Sequence, residues 1–231
     1  MARYVIGNWK CHKSLDDGRK WLQEFRASYQ PQAGLTVVIA PTILAIAGIN
    51  KTLREMAIPG VELAAQDISP FPRGNYTGAV AADMLRGLAR YVIVGHSERR
   101  RYFHETAQDV INKVGEVADA GLIPVVCVED SGATTLFEML KDIDCRELII
   151  AYTPIDVVTF NIAEAPERVA GQVSILRDRL PGRSIVYGGR LHPDNVDNYL
   201  KLPEIDGIFV GGSSLDAKVF AYLCVKAALT A

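Results

Sequence analysis

The chain lacks the features that mark several classes of protein. No apolar stretch in its 231 residues approaches the roughly 20 residues that a membrane-spanning helix needs. Its 25 basic and 27 acidic residues leave a formal net charge of −2, so no general positive field favours nucleic acid or an anionic membrane. We therefore expect neither as a partner, and any anionic ligand must be held by a local site.

Cysteine is scarce and follows no metal-binding pattern. The four cysteines are widely spaced and form no CxxC pair, and they lie at Cys11, Cys127, Cys145 and Cys224. The first residues read as a strand, RYVIGNWK, and not as a basic region followed by the apolar run of a secretory signal. We therefore predict reduced thiols, no metal site, and a soluble cytoplasmic protein.

Short apolar runs bounded by Gly, Pro or polar residues recur along the chain and predict eight strands. They cover Tyr4–Gly7, Thr36–Ala40, Val61–Ala65, Tyr91–Gly95, Ile123–Val128, Leu148–Tyr152, Ser184–Gly188 and Gly207–Gly211. Helix-compatible segments alternate with them, at Leu15–Ser28, Leu44–Met56, Val80–Ala89, Ala107–Ala120, Thr134–Ile143, Pro166–Leu180, Val196–Leu200 and Ala217–Leu229. Eight such units are enough to close a parallel barrel, so we predict one α/β domain over residues 1–231, a (β/α)8 TIM barrel.

An open, doubly wound sheet is the alternative fold. Its usual sign is a GxGxxG turn after the first strand, but here that strand runs into GNWKCHKS. In a barrel, the active site lies at the carboxyl ends of the strands. Those ends read NWK, PT, QD, GHSERR, CVED, YTP, GGR and GGSS. Polar and glycine residues are thus concentrated on one rim, where we expect the chemistry.

Six of these segments, in this order and rough spacing, resemble the triosephosphate isomerase family. They are GNWK, AQD followed by YTGAV, VGHSERR, CVED, YGGR and GIFVGGSSL. One such motif is weak, but the ordered set is specific and spans nearly the whole chain. The resemblance implies a glycolytic and gluconeogenic enzyme that interconverts glyceraldehyde 3-phosphate and dihydroxyacetone phosphate through an enediolate, without a cofactor.

The resemblance also implies roles for individual residues. Lys10 would supply positive charge to the substrate phosphate and the enediolate oxygen, and Asn8 would help to hold the site. His96 would be a neutral imidazole that donates a hydrogen bond to the same oxygen. We expect Ser97 to cap the helix that begins in SERR. Without the resemblance, a single lysine such as Lys10 would usually be a solvated surface residue. A single histidine such as His96 would usually be a core residue whose hydrogen bonds are satisfied.

The phosphate site implied by the resemblance lies after the last two strands. Gly211 and Gly212 would offer backbone N–H groups to the phosphate, as barrel phosphate sites commonly do. Arg190 stands where the family has a phosphate-binding serine. Its guanidinium group would either strengthen anion binding or lie at the surface.

The resemblance breaks after the sixth strand. The family has AYEPVWAIGTG, in which the glutamate is the base and the glycine-rich segment is a lid, but this chain has AYTPIDVVTFN. Thr153 takes the position of the base, and a threonine hydroxyl cannot accept a carbon-bound proton near neutral pH. Asp156 replaces the lid tryptophan, and Asn161 replaces a glycine whose N–H would contact phosphate. We therefore expect impaired turnover and a lid that closes differently.

Several acids remain as alternatives for the chemistry. Asp156 is the best candidate for a substitute base because it lies on the same loop, although a solvated aspartate is commoner there. Glu129 is a weaker candidate. Glu98 either takes part in the chemistry or forms an ion pair with Arg99 or Arg100. A further family-like acid, Glu105, we interpret as mainly structural.

Two other functions stay open at the level of sequence. One is a catalytically silent barrel that binds a phosphorylated ligand or serves as a scaffold, and the other is a different barrel enzyme acting on a sugar phosphate. Fold alone cannot choose among them. The resemblance further implies a homodimer, in which the loop QDISPFPRGNYTGAV brings Thr77 close to the neighbouring active site.

Overall fold

The structure, a computed structural model, describes residues 3–129, 134–154 and 162–230. The strands are β1 Arg3–Asn8, β2 Leu35–Ala40, β3 Val61–Ala65, β4 Tyr91–Val94, β5 Ile123–Val128, β6 Ile149–Tyr152, β7 Ser184–Tyr187 and β8 Gly207–Val210. The α-helices are α1 Leu15–Ser28, α2 Ile43–Met56, α3 Ser97–Tyr102, α4 Ala107–Asp119, α5 Thr134–Lys141, α6 Pro166–Arg179, α7 Val196–Leu200 and α8 Ala217–Leu229. Short 3-10 helices lie at Ala82–Leu85 and Gly212–Ser214.

The eight strands form a closed barrel. Each strand pairs in parallel with the next one along the chain, and β8 pairs with β1 in the register Tyr4 to Gly207. The predicted (β/α)8 fold is therefore confirmed, and the open sheet is not formed. Because all the strands run in the same direction, their carboxyl ends share one rim.

Burial explains why the strands read as nearly continuous apolar runs. Side chains on the inner faces fill the barrel, and side chains on the outer faces pack against the helices, so that both faces are buried. The inner cluster consists of Ile6, Val38, Ala40, Ala64, Tyr91, Ile93, Ile123, Val125, Cys127, Ile149, Ala151, Val186 and Phe209.

Short-range signals set the beginnings of several helices. Ser14 caps α1 and Thr106 caps α4, each in a capping box closed by an aspartate three residues later. Asp216 caps α8 by accepting from two backbone N–H groups. No helix within the described residues is long and apolar enough to cross a membrane.

The predicted helix over Val80–Ala89 is wrong. Only the 3-10 turn Ala82–Leu85 forms there, and Gly87 follows in the left-handed region with φ of 76°. The helical conformation ends before Gly87, because Arg86 already has a ψ of 126°, and the segment then turns toward β4. The other predicted elements are present, with ends shifted by at most a few residues.

Candidate functional site

A cleft of about 590 Å³ opens at the carboxyl rim of the barrel. We call it the rim cleft. The side chains and backbone that line it come from the segments after β1, β4, β6, β7 and β8, and the polar or charged positions among them include Lys10, His96, Glu98, Thr153, Arg190 and Gly211. The predicted concentration of polar residues on one rim thus corresponds to one shared cavity.

His96 is placed in the rim cleft by the end of β4. Gly95 takes φ of 70°, a left-handed conformation that lets the chain turn sharply out of the strand. The His96 ring then caps α3, because its Nδ1 atom accepts the backbone N–H of Glu98 at 3.2 Å. The prediction that Ser97 caps this helix is wrong, since Ser97 is its first helical residue.

This capping bond and burial together keep His96 neutral. Burial, which leaves the residue 9% exposed, is the main cause that lowers the pKa of the imidazole to about 4. The nearby Lys10 cation lowers that pKa further, whereas the Glu98 carboxylate opposes the shift. Since Nδ1 accepts a hydrogen bond, the ring proton lies on Nε2 and is available for donation.

Lys10 is held in a strained backbone conformation at the end of β1. Its φ of 51° lies in the left-handed region, which costs a non-glycine residue about 1–2 kcal/mol. The buried Asn8 side chain accepts from Lys10 N at 2.9 Å, and Gln66 donates to the Lys10 carbonyl at 2.8 Å. Asn8 therefore positions Lys10, as a residue that holds the site.

Glu98 pairs with Lys10. Its Oε1 atom lies 2.6 Å from the Lys10 ammonium, and both side chains are 35% exposed. The alternative of an ion pair with Arg99 or Arg100 is wrong because those arginines have other partners. Arg99 bonds to Asp67 at 2.8 Å, and Arg100 lies 3.3 Å from Glu129.

Glu105 belongs to a buried charged network away from the rim cleft. Its side chain is 3% exposed, and it pairs closely with Lys113 and lies 3.8 Å from Arg99. Lys113 also contacts Asp67 at 2.6 Å. Opposite charges that are buried together in this way fit the structural interpretation of Glu105.

Backbone amides form the part of the rim cleft after β8. In the 3-10 turn, Ser214 N and Leu215 N bond to the carbonyls of Gly211 and Gly212. The N–H groups of Gly212 and Ser213 lie at the start of this turn, so they have no carbonyl partner within it. They are therefore suited to bind an anion. Lys10 lies beside them, since a Cβ on Gly211 would be 3.7 Å from the lysine Nζ.

Arg190 is the second cation of the rim cleft with a strained backbone, with φ of 48°. Asn195 fixes this conformation from both sides, because it donates to the Arg190 carbonyl at 3.0 Å and accepts from His192 N at 2.9 Å. Ser213 Oγ donates to the Leu191 carbonyl at 2.7 Å, which ties this segment to the amides after β8. The strain is thus maintained by a specific set of bonds at the mouth of the cleft.

Thr153 follows β6 and is 6% exposed. Its backbone N–H donates to the Val128 carbonyl at 2.7 Å, and its hydroxyl is directed at the same carbonyl at 3.5 Å. Its methyl group packs against Gly188, where an added Cβ would lie 2.9 Å away. The side chain therefore forms part of the wall of the rim cleft and supplies no base.

Comparison with known proteins shows the family of the chain. A family model described as Triosephosphate isomerase matches residues 3–227. The triosephosphate isomerase of Synechococcus sp. (strain JA-3-3Ab) is 37% identical, over 98% of this chain and 95% of the relative. That of Nostoc punctiforme is 38% identical, over 96% and 97% of the two chains. The chain belongs to the triosephosphate isomerase family.

A third relative in the triosephosphate isomerase family, from Mesomycoplasma hyopneumoniae (strain 7448), is 33% identical over 98% of this chain and 100% of its own.

Two of the predicted site residues, Asp156 and Asn161, lie outside the described residues. Glu129 is tied to Arg100 and is not among the residues that line the rim cleft.

The structure also brings residues to the rim cleft that the sequence did not single out. Arg101 and Tyr102 line it from the end of α3, and His192 lines it after β7. The run SERRRYF carried no signal that could separate a cleft-lining arginine from one paired with a buried acid. That distinction depends on which carboxylates lie beside the helix, a long-range property.

Proposed function

We propose that the protein is an aldose–ketose isomerase of the triosephosphate isomerase type, with strongly reduced turnover. It would interconvert glyceraldehyde 3-phosphate and dihydroxyacetone phosphate in the cytoplasm. One observation carries the proposal. The rim cleft combines a neutral His96, the Lys10 cation and the backbone amides of Gly212 and Ser213, which have no carbonyl partner within their 3-10 turn, whereas the wall at β6 carries Thr153 in place of a carboxylate.

The substrate phosphate would lie against the amides at Gly211 and Gly212. Lys10 and Arg190 line the same cavity and would complete the anion site, with charge-assisted bonds that are stronger than neutral ones. Asn161, which lies outside the described residues, would add its backbone N–H. His96 Nε2 would donate to the carbonyl oxygen and stabilise the enediolate as negative charge develops there.

Glu98 is poorly placed to replace the missing base. It is the one acid among the described residues that line the rim cleft. However, its backbone N–H bonds to His96 Nδ1, which puts it on the opposite side of the ring from the Nε2 donor. Its carboxylate is also paired with Lys10 at 2.6 Å. A base must reach the substrate carbon from the face that Nε2 serves, so Asp156 is the preferred substitute.

Turnover of glyceraldehyde 3-phosphate by the wild-type protein and three variants tests the proposal. The loss of a positioned base typically costs about 10²–10⁴-fold, so we expect Thr153→Glu to raise turnover by a factor in that range. Thr153→Gln is the matched control because it has the size of glutamate without its basicity, and it should stay at the wild-type level. Asp156→Asn should abolish the residual turnover if Asp156 is the substitute base.

The alternatives give different results in the same assay. Undetectable wild-type turnover together with binding of glycerol 3-phosphate would support the catalytically silent, phosphate-binding barrel. If Thr153→Glu binds glycerol 3-phosphate as wild type does but does not gain turnover, the changes in the segment after Thr153 limit the reaction independently. Absence of binding in both proteins would contradict the phosphate site itself.

The homodimer is also a proposal. The loop that contains Thr77 presents the stacked rings of Phe71 and Tyr76, with centroids 4.8 Å apart and 44% of each residue exposed. Leu44, on the adjoining α2, is 92% exposed. Apolar side chains gathered on a protruding loop fit a contact with a second copy. Light scattering should give twice the 25.3 kDa mass of the chain, and Tyr76→Asp should reduce it to the monomer.

A further inference from the structure

The rim cleft carries cations on opposite sides of the barrel mouth. In the closed order of eight strands, β4 and β8 are four positions apart, so the segments that follow them face each other across the mouth. Arg101 comes from the segment after β4, whereas Arg190 and the amides of Gly212 and Ser213 come from the segments after β7 and β8. A ligand that fills the cleft therefore meets positive charge at both ends.

Arg101 differs from the two arginines before it. Arg99 and Arg100 each have a carboxylate partner, at 2.8 Å and 3.3 Å. Arg101 is exposed, lines the rim cleft and has no carboxylate partner among the residues that the structure describes. Its guanidinium lies 5.5 Å from the centroid of the Tyr102 ring, a cation–π contact that limits its freedom without neutralising its charge.

The charge of Lys10 is already balanced. Its ammonium, beside Gly211, lies 2.6 Å from the Glu98 carboxylate, so this pair adds little net charge to the rim cleft. One phosphate bound at Arg190 and the amides after β8 would leave Arg101 without a counter-charge. The arrangement is thus complementary to a molecule with two separated anionic groups.

We propose that the preferred ligands of the rim cleft are open-chain sugar phosphates with a second anionic group, a phosphate or a carboxylate, at the other end. Arg101 is then the residue that sets this preference, since its planar fork binds either group. The inference rests on the proposed function, because it takes the phosphate site after β8 as the first anchor. It adds a second anchor that a triose monophosphate would leave unused.

Three five-carbon probes of equal length separate the possibilities in a calorimetric binding experiment. Pentyl phosphate carries one anionic group, pentane-1,5-diol bisphosphate carries a second phosphate, and 5-phosphooxypentanoate carries a carboxylate. We expect wild type to bind one or both doubly anionic probes about tenfold more tightly than pentyl phosphate. The doubly anionic probe with the larger gain in affinity over pentyl phosphate identifies the second anionic group.

Substitutions assign the preference to one residue. Arg101→Gln should remove the tenfold advantage and leave the affinity for pentyl phosphate unchanged. Arg26→Gln is the matched control, since it removes one exposed arginine from α1, outside the rim cleft, and should leave both affinities as they are. Arg190→Gln should weaken all three probes to a similar extent because it alters the first anchor.

Two results would overturn the inference while the proposed function stands. One is equal affinity of wild type for all three probes. The other is a fall in mass toward the monomer for Arg101→Gln by light scattering, which would place Arg101 in a subunit contact. Failure of every probe to bind would instead contradict the phosphate site, and the inference with it.

Discussion

The two sides of the rim cleft follow the residue pattern of the triosephosphate isomerase family to very different extents. The side built by β1, β4 and β8 has Lys10, His96 and the glycine turn at Gly211, as the resemblance to the triosephosphate isomerase family predicts. The side built by β6 has Thr153 packed into the wall. Since each barrel strand delivers its residues on a separate loop, one side of a site can change while the others keep their geometry.

Lys10 on the maintained side and Arg190, where the family has a serine, are both costly to hold, which supports their use as binding residues. Lys10 and Arg190 both adopt left-handed backbone conformations, and both line the rim cleft. Strain of this kind persists only where surrounding bonds enforce it, here through Asn8 for Lys10 and Asn195 for Arg190. Two strained cations that line one cleft fit a site that binds an anion.

The largest effect should come from breaking the maintained side after the base is restored. In the Thr153→Glu background, we expect His96→Ala to lower turnover by about 10²–10³-fold, since it removes the donor to the developing oxyanion. Steady-state kinetics with glyceraldehyde 3-phosphate measures this loss. If the double variant turned over as fast as Thr153→Glu alone, His96 would not be the electrophile.

The pH dependence of stability gives the next effect. The pKa of His96 is about 4 in the folded protein against an ordinary value of 6.5, so the unfolded chain binds the extra proton more readily. The contribution of neutral His96 is complete above pH 6.5 and declines as the pH falls toward 4, by up to about 3 kcal/mol. Denaturant unfolding of wild type and His96→Gln should show that the difference between their free energies of unfolding narrows as the pH falls from 6.5 to 4. Parallel curves would contradict the neutral, buried imidazole.

A third comparison concerns ligand affinity on the two sides. Arg190→Ser, which introduces the serine of the family, should weaken glycerol 3-phosphate binding by about tenfold, whereas Thr153→Val should leave it nearly unchanged. Isothermal titration calorimetry of both variants distinguishes a residue that binds the ligand, Arg190, from one that only forms the cleft wall, Thr153. Equal losses in the two would show that Thr153 contacts the ligand as much as Arg190 does.

The smallest expected effect is a gain in stability, whereas the preceding substitutions cause losses. Arg190→Gly should raise the free energy of unfolding by about 0.5–1 kcal/mol, because glycine tolerates the left-handed φ of 48°. Arg190→Ala keeps the strain and should not be stabilised, although it loses the same affinity. A Gly variant no more stable than the Ala variant would remove the argument from strain.

The sequence was most informative where the structure depends on local patterns. Apolar runs and their spacing predicted the eight strands and the closed barrel, because both faces of each strand are buried. The helix predicted over Val80–Ala89 does not form because Ala81 and Arg86 have non-helical ψ values of 150° and 126°, which the apolar periodicity does not reveal.

In the site, the sequence predicted which residues line the rim cleft better than it predicted their partners. Lys10, His96, Thr153 and Arg190 all line it. The sequence did not reveal that Glu98 pairs with Lys10, 88 residues away, or that Arg101 has no carboxylate partner among the described residues. Both depend on contacts between distant loops, which spacing along one helix cannot reveal.

We propose that the rim cleft still binds the substrate and stabilises the enediolate, while proton removal from the substrate is strongly slowed. Exchange of the C1 proton of dihydroxyacetone phosphate with deuterium, followed by NMR, measures proton removal directly. At saturating substrate, we predict that wild type exchanges this proton at least about 100-fold more slowly than Thr153→Glu. Exchange by wild type at the rate of Thr153→Glu would contradict the account.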